Sequence, residues 1–450
     1  MTKVIITAIG SAGDVHPLLG IGAALAARGH EIVFCTHPPF AEAVSRQGFA
    51  FVPIGTAGEY EAAMANPALW HPRTSFRTLW AVIAPTLRPH FDTLAALTDS
   101  DTVLVGTLWA FSARLMQELY RVPFVSVQVS PSTLLSAHAP PTHPRLTIPR
   151  GLPLAMKTAL LRLIEHQALD KVCGPALNAL RAELALAPAR RIFGEWLHST
   201  DSVLCLFPDW FAQAQPDWPA PRCLSGFPLF NDTGVHAPDP QLDAFLAAGE
   251  RPVVFTAGST LIDQARYTEA VSAALEESGL RGILLTPDAS RAEAPAAQTD
   301  AQTDAQTDAQ GVLLKRRYVP LQKLLPRCRA LVHHGGIGTA ALAYAAGIPQ
   351  VVTPFAHDQF DNAQRVVASG CGVRLDKPLQ PQALARALRH LLGSPSIATQ
   401  CGRVQDRLVS SPDGCEAAAR YIEGFVPTGM RAQTVGRIAL PAFADSGHSV

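Results

Sequence analysis

The fold is decided by residues 331–362, LVHHGGIGTAALAYAAGIPQVVTPFAHDQFDN. The pattern predicts a strand, a glycine turn, a helix over 337–346, a second strand and a polar loop. The helical part is rich in Ala and Leu, which are strong helix formers, and Gly347 with Pro349 beyond it marks the helix end. A strand–helix–strand unit of this kind predicts parallel strands joined by a crossover helix.

Three glycines in the turn, Gly335, Gly336 and Gly338, predict an anion site at the start of this helix. They leave the first helical turn almost free of side chains, so an anion can approach backbone N–H groups where the helix dipole favours negative charge. We interpret the turn as a diphosphate site. The side chains expected to contact the same charge are His333, Ser259, its neighbour Thr260, and Thr339. The alternative for the histidine is a structural role within the turn.

The polar loop that follows the second strand predicts a contact with a sugar. Asp358 and Gln359 offer acceptors and donors suited to hydroxyl groups, although the same residues are also typical of a helix N-terminus near Phe360. Upstream, Tyr318 and Val319 follow a predicted strand, and the tyrosine ring is expected to stack on a base. The alternative for this tyrosine is a partly exposed place in the core.

Composition limits the class of protein. The 450 residues are enough for two domains, and 48% hydrophobic against 16% charged residues allow a large core. Lys+Arg and Asp+Glu both number 37, and this zero formal charge argues against a nucleic-acid partner, which normally requires a basic face. The eight cysteines show no C-x-x-C spacing and are expected to be buried thiols in a reducing compartment. Without a secretory signal or a long apolar run, we expect a cytoplasmic protein with at most peripheral membrane contact.

Both halves of the chain predict a doubly wound sheet. Apolar runs at 3–9 and 31–36 predict strands that are buried on both faces, and a second series begins at 252–257. We therefore predict an α/β fold of two doubly wound Rossmann-like domains that face each other across a cleft. The predicted units are a first domain over 1–230, a second domain over 241–425, a low-complexity insertion over 297–310 and a loose tail over 427–450.

Four segments in a fixed order resemble the donor-binding signature of nucleotide-sugar glycosyltransferases of family 1. They are Tyr318-Val319-Pro320, His333-His334-Gly335-Gly336, Gly347-Ile348-Pro349 and Asp358-Gln359. The resemblance implies the GT-B fold, with the sugar nucleotide on the second domain and the acceptor on the first. The His-His-Gly-Gly-x-Gly-Thr form is similar to the bacterial antibiotic, sterol and glycolipid branch rather than to the plant enzymes.

The turn over residues 10–17, GSAGDVHP, is the expected place of a catalytic base. An aliphatic hydroxyl is a poor nucleophile until a positioned base takes its proton. Aligned on Gly13 and Pro17, the resemblance implies that Asp14 is the base, with His16 as the rival. The alternative is that Asp14 only caps the helix that begins near Pro17. We expect no metal site, and the resemblance implies an inverting, metal-independent transfer with no cofactor beyond the sugar-nucleotide co-substrate.

A closer resemblance covers both halves of the chain. The pieces TAIGSAGDVHPLLG, ALWHPRTSFRTLWAVI, CLFPDWFAQAQPDWP and FAHDQFDNAQRV are similar to the rhamnosyltransferase B-chain family of bacterial rhamnolipid synthesis. This resemblance implies transfer of L-rhamnose from dTDP-L-rhamnose to the hydroxyl of a 3-(3-hydroxyalkanoyloxy)alkanoic acid, which forms a mono-rhamnolipid. It also implies a separate rhamnosyltransferase A chain as a partner that supplies the lipid acceptor, and a place at the inner face of the inner membrane.

The acceptor side carries a weaker signal. Aromatic residues in the first half favour a greasy acceptor, although each is also typical of an ordinary core; the acceptor-binding candidates are Phe76, Trp80, Trp109 and Ser130. Three alternatives stay open at this point: a glycosyltransferase acting on a sterol, polyketide or flavonoid, a nucleotide-sugar epimerase, and a non-catalytic lipid-binding partner. An amphipathic helix is predicted over 156–173.

Overall fold

The computed structural model describes residues 2–143, 148–149, 151–230, 238–256, 264–286, 306–307, 311–376 and 379–426. Within these residues the chain forms two seven-stranded sheets, each flanked by helices. The prediction of two doubly wound α/β domains is thereby confirmed. Ser259 and Thr260, most of the insertion and the predicted tail at 427–450 lie outside the described residues.

The first sheet has the strand order β3-β2-β1-β4-β5-β6-β7, and all of its pairs are parallel. Its strands are β1 (Lys3–Thr7), β2 (Glu31–Thr36), β3 (Ala50–Pro53), β4 (Thr102–Gly106), β5 (Phe124–Gln128), β6 (Ser202–Cys205) and β7 (Arg222–Leu224). Val4, Ile5 and Ile6 have no exposed surface, which is the burial expected for a parallel strand covered on both faces.

The second sheet has the order β10-β11-β9-β8-β12-β13-β14. Its strands are β8 (Val253–Thr256), β9 (Gly282–Leu285), β10 (Gln306–Thr307), β11 (Leu313–Arg316), β12 (Ala330–His333), β13 (Gln350–Val352) and β14 (Gly372–Arg374). All pairs are parallel except the pairing of β10 with β11. Two residues of the predicted insertion, 306–307, therefore extend this sheet at its edge.

The helices of the described residues connect the strands and cover the sheets. In the first half they are α1 (Ala12–Ala27), α2 (Ala41–Arg46), α3 (Ala57–Ala65), α4 (Pro67–Trp70), α5 (Ser75–Ile83), α6 (Leu87–Leu97), α7 (Phe111–Tyr120), α8 (Leu154–Ile164) and α9 (Lys171–Glu183). In the second half they are α10 (Pro240–Ala247), α11 (Gln264–Ser278), α12 (Leu321–Leu324), α13 (Ile337–Ala345), α14 (Gln359–Ala368), α15 (Pro381–Leu392), α16 (Pro395–Val409) and α17 (Gly414–Glu423). Among them, none combines the length and the apolar character that crossing a bilayer would require.

The last helix, α17, returns to the first domain. Ala418, Ala419 and Ile422 are fully buried and join the core formed by β1 and α1. At the end of this helix, Glu423 accepts a hydrogen bond from Arg28 at 2.6 Å and lies 3.1 Å from His30. The apolar face of α17 is thus buried by the first domain, although this helix lies within the range 241–425 predicted for the second domain.

Candidate active site

The carboxyl ends of the two sheets face each other, and the connecting segments meet there. Ser130, which follows β5, donates a hydrogen bond to Asn362 Oδ1 at 3.3 Å. The Thr142 N–H donates to Asp361 Oδ1 at 2.9 Å. Ring contact between Trp70 and His357, with centroids 5.4 Å apart, adds a third connection between the domains. The loop after β13 is therefore held against the first domain, as expected for a ligand site at the carboxyl edge of such sheets.

Asp14 lies in the first turn of α1, and its carboxylate folds back over the loop that leaves β1. Gly10 adopts φ +139°, and a Cβ at this position would lie 2.2 Å from Asp14 Oδ2, so only glycine fits. The Ser11 N–H donates to Oδ2 at 2.9 Å, and the Ser11 hydroxyl lies 3.3 Å from the same oxygen. The helix start expected near Pro17 is wrong, because α1 begins at Ala12 with Ser11 as its N-cap residue. Asp14 takes part in capping from the first turn instead, and both of its contacts with Ser11 use Oδ2.

The electrostatic surroundings of Asp14 are those of a base. Burial raises the pKa of Asp14 to about 6; the Ser11 N–H lowers it, and the charge of Asp358 raises it further. The residue as a whole is half-buried. A carboxylate with this pKa is mostly ionised at neutral pH and is a stronger base than an ordinary aspartate. The influence of Asp358 indicates that a carboxyl group of the second domain lies within electrostatic range of Asp14.

His16, the rival base, has a different environment. Its ring packs edge-on against Phe40, with centroids 6.3 Å apart. Because residues two apart on a helix do not face the same direction, His16 and Asp14 present their side chains to different neighbours. This placement favours Asp14 as the group that faces the second domain.

The glycine turn before α13 has the open geometry that the sequence predicts. Gly335 adopts φ +100°, and a Cβ there would come within 2.9 Å of Val352 Cγ1 and 3.0 Å of the Gln359 carbonyl oxygen. Gly336 is the residue that caps α13, and Gly338 has no neighbour within 4 Å of its Cβ position. The first turn of this helix, which includes Thr339, is therefore accessible to an anion approaching its N–H groups.

Both ring nitrogens of His333 form hydrogen bonds inside the second domain. The side chain is fully buried, and Nδ1 accepts a hydrogen bond from the Gly335 N–H at 3.2 Å. The proton must then sit on Nε2, which donates to Gln350 Oε1 at 3.0 Å. Burial lowers the pKa of His333 to about 3, with a further contribution from His334, so the ring is neutral. This geometry does not support the predicted direct contact with a diphosphate, because neither ring nitrogen is available.

The neighbouring His334 has the position that was expected of His333. It is half-buried, and a Cβ on Gly336 would lie 2.7 Å from His334 Nε2, so the ring lies over the start of α13. The sequence analysis missed this residue. The sequence does not show at which residue β12 ends. The strand ends at His333, whose side chain therefore stays buried in the sheet, and His334 is the first residue of the turn.

The loop after β13 orders the predicted sugar-binding residues. Asp358 accepts a hydrogen bond from Asn362 Nδ2 at 2.8 Å, and the same amide donates to the Gly335 carbonyl at 3.0 Å. Burial raises the pKa of Asp358, while hydrogen bonds from Asn362 and Ser130 lower it. Gln359 Oε1 accepts from the N–H groups of residues 355 and 356. Its amide nitrogen is therefore the group of Gln359 that could reach a sugar hydroxyl.

His357 was not anticipated as a site residue. Its φ is +50°, a region that non-glycine residues seldom adopt and that often marks a functional constraint. Burial lowers the pKa of His357 to about 4, and the nearby His143 lowers it further. A neutral imidazole thus lies beside Asp358, at the contact with Trp70 of the first domain.

The remaining predicted residues fall into two groups. Tyr318 is 54% exposed after β11, as base stacking requires, whereas Val319 is buried beneath it. On the acceptor side, Trp80 belongs to the buried core, which matches the ordinary alternative weighed for it. Phe76 and Trp109 are only half-buried, and their ring centroids lie 6.1 Å apart. The two rings offer an apolar surface.

Among the residues that the structure describes, no group of three or more His, Cys, Asp or Glu side chains could hold a metal ion. One Asp-x-Asp triplet, Asp99-Ser100-Asp101, precedes β4. Asp99 there binds Lys3 at 2.6 Å, at the amino edge of the sheet and away from the cleft.

Comparison with known proteins gives the family. Residues 4–139 match the glycosyltransferase family 28 N-terminal domain, and residues 297–423 match the erythromycin biosynthesis protein CIII-like C-terminal domain. Glycosyltransferase GtfC of Amycolatopsis orientalis is 30% identical over 439 residues, covering 93% of this chain and 97% of the relative.

Solved structures agree on the fold. The kitacinnamycin glycotransferase has a TM-score of 0.70 at 20% identity and covers 95% of this chain and 99% of its own. The spinosyn rhamnosyltransferase complexed with thymidine diphosphate has a TM-score of 0.60 at 21% identity and covers 94% of this chain and 100% of its own. The chain therefore belongs to the nucleotide-sugar glycosyltransferases of the GT-B fold.

Proposed function

We propose that this glycosyltransferase transfers L-rhamnose from dTDP-L-rhamnose to the hydroxyl of a 3-(3-hydroxyalkanoyloxy)alkanoic acid, with inversion and without a metal ion. The observation that carries the transfer chemistry is the pair Asp14 and Asp358 at the domain junction, with the pKa of Asp14 raised to about 6. The choice of sugar and acceptor rests on the sequence resemblance and on the character of the acceptor side.

The reaction is one displacement in which Asp14 is the base, and the charge of Asp358 helps to raise its pKa. Asp14 Oδ1 takes the proton of the acceptor hydroxyl, and the hydroxyl oxygen forms a bond to C1 of rhamnose. The bond from C1 to the diphosphate oxygen breaks on the opposite face, so dTDP leaves with the electron pair and the configuration at C1 inverts. The N–H groups at the start of α13, with His334 above them, stabilise the charge on the departing diphosphate. Asp14 then releases its proton to water.

Two observations support the choice of donor and acceptor. The spinosyn enzyme that shares the fold is a rhamnosyltransferase and was solved with thymidine diphosphate. On the acceptor side, Phe76 and Trp109 leave an apolar aromatic surface next to the buried Phe193, at 5.5 and 5.6 Å between ring centroids. Covering such a surface with an alkyl chain makes the free energy of binding more favourable, whereas a polar acceptor gives no such contribution.

The test is a product analysis. The protein is incubated with dTDP-L-rhamnose and a hydroxyalkanoyl dimer, with and without a chelator, and the lipid fraction is analysed by mass spectrometry and by NMR of the anomeric centre. We expect a mono-rhamnolipid of inverted configuration whose yield is insensitive to the chelator. Transfer to a polyketide or sterol acceptor instead would reject the proposed acceptor, and a changed free sugar nucleotide without any glycolipid would identify an epimerase.

A further inference from the structure

The helix α8 presents an unusual surface. Seven large apolar side chains are exposed in the described part of the chain, and four of them lie on this one helix. They are Leu154 (46% exposed), Met156 (51%), Leu160 (36%) and Leu163 (55%). No residue of α8 is buried. Exposed apolar side chains are ordinary when scattered, but a cluster of this kind marks an interaction surface.

Three of these four residues share one face of the helix, whereas Leu154 lies near the opposite face. Met156, Leu160 and Leu163 are spaced by four and three residues, so they form one stripe along the helix. At 100° per residue, Lys157 and Arg162 lie roughly 100° to either side of this stripe. An apolar stripe flanked by cations is the pattern of helices that lie in the headgroup region of a bilayer.

The charge of the surrounding sequence favours an anionic surface. No Asp or Glu occurs between Glu118 and Glu165, although the chain as a whole has equal numbers of acidic and basic residues. Within α8 the charged residues are Lys157 and Arg162, both cationic. The complementary partner for this combination of apolar and cationic groups is a membrane that contains anionic lipids.

The helix is fixed to the first domain at its C-terminal end. Glu165, directly after α8, is buried and accepts a hydrogen bond from the Gly194 N–H at 2.6 Å. Asp170 accepts from the N–H groups of Arg191 and Ile192 at 3.0 and 2.9 Å. These contacts come from Glu165–Asp170, the segment that follows α8, and not from the apolar stripe, so docking needs no rearrangement of the domain core.

We propose that α8 docks this protein on an anionic lipid surface, with Met156, Leu160 and Leu163 entering the headgroup boundary and Lys157 and Arg162 binding lipid phosphates. The docking would bring the domain proposed to bind an apolar acceptor to the phase in which such acceptors reside. The binding itself depends neither on the transferred sugar nor on the acceptor, so it can be tested even if the proposed reaction is wrong.

The experiment measures sedimentation of the full chain with vesicles. Vesicles of phosphatidylcholine mixed with phosphatidylglycerol should bind the wild type, and the binding should weaken with added salt. Vesicles of phosphatidylcholine alone should bind much less. The double variant Lys157→Gln/Arg162→Gln should lower the partition coefficient roughly 30-fold, at about fivefold for each cation. Leu160→Gln/Leu163→Gln should lower it at least about tenfold.

Matched controls lie on the other domain. Val409 is 78% exposed on α16 but is not part of such a stripe, so Val409→Gln should leave binding unchanged. Lys323→Gln/Arg403→Gln removes the same charge from exposed positions and should also have little effect. Equal losses in these controls, or absence of vesicle binding by the wild type, would overturn the proposal. A wild type that dimerises in sedimentation velocity, with α8 variants that are monomers, would assign this face to a second copy instead.

Discussion

The substitution Asp14→Asn tests the base, because it keeps the size of the side chain and removes its ability to take a proton. The Asn carbonyl can still accept the hydrogen bond that the Ser11 N–H donates at 2.9 Å, so the start of α1 is preserved. We expect kcat to fall by ~10²-fold or more, which is the usual contribution of a general base. The Kd of dTDP, measured by calorimetry, should stay near that of the wild type, since the hydrogen bonds of Asp14 go to Ser11 of its own loop and not to the glycine turn.

The same substitution has a predictable effect on stability. The pKa of Asp14 is about 6 in the folded protein and 3.8 ordinarily, so folding favours the protonated carboxyl. The stability contributed by this group is present below pH 3.8 and is lost as the pH rises through about 6. A shift of ~2 pKa units corresponds to a change of at most ~3 kcal/mol in the free energy of unfolding. Two effects reduce this value: solvent screens the charge of a half-buried group, and the neutral amide of Asn accepts a weaker hydrogen bond than a carboxylate. The expected net difference is ~1 kcal/mol.

Two measurements check these expectations. In thermal unfolding, the Asn variant should match the wild type near pH 4 and exceed it by ~1 kcal/mol near pH 8. In kinetics, kcat/KM of the wild type should fall on the acid side with an apparent pKa near 6, and the residual activity of the variant should lack this limb. His16→Ala serves as the control and should retain activity within a few fold of the wild type.

Three outcomes would contradict the role of Asp14 as the base. An Asn variant that keeps more than about a tenth of wild-type kcat would remove Asp14 from the role of base. An inactive His16→Ala variant with an unchanged melting temperature would transfer the role to His16. An acid limb that persists in Asp14→Asn would show that another group titrates in that range.

Three further predictions concern the second domain. Asp358→Asn removes a negative charge that raises the pKa of Asp14, so the acid limb of kcat/KM should move to lower pH. The KM for the sugar nucleotide should rise as well. An acid limb at the same pH as in the wild type would contradict the coupling of the two carboxyl groups. His334→Ala should weaken dTDP binding about tenfold or more in calorimetry at an unchanged melting temperature, whereas His333→Ala should mainly lower the melting temperature, because His333 bonds the turn and Gln350. His357→Gly should be about 1 kcal/mol more stable than His357→Ala in thermal unfolding, since both lose the ring but only glycine accepts φ +50° without strain.

The sheets could be predicted because parallel strands buried on both faces are continuous apolar runs, which the sequence shows directly. Lys3–Thr7 and Val253–Thr256 are such runs. The strand β14, with the sequence GVR, was missed because three residues with one large apolar side chain carry no periodic signal. The packing of α17 on the first domain could not be predicted, because an amphipathic pattern shows that one face is buried but not which domain buries it.

The candidate site was predictable to the level of segments but not of individual side chains. The order of motifs located the glycine turn and the loop after β13, and both lie at the cleft. The choice between His333 and His334 depended on where β12 ends, which sequence patterns locate only to within a few residues. The contact between Trp70 and His357 joins residues far apart in the chain, and no local pattern encodes it.

The strength of the base depends on both domains at once. Asp14 belongs to the first domain, and one of the causes that raise its pKa is the charge of Asp358 in the second. That contribution exists only while the loop after β13 is held in place by the contacts of Ser130 and Thr142. If the domains separated, water would return to the cleft and the pKa of Asp14 would fall towards its ordinary value. A weakened contact at Ser130 should therefore lower turnover through the base, because Ser130 and Asn362 hold the carboxyl group of Asp358 near Asp14.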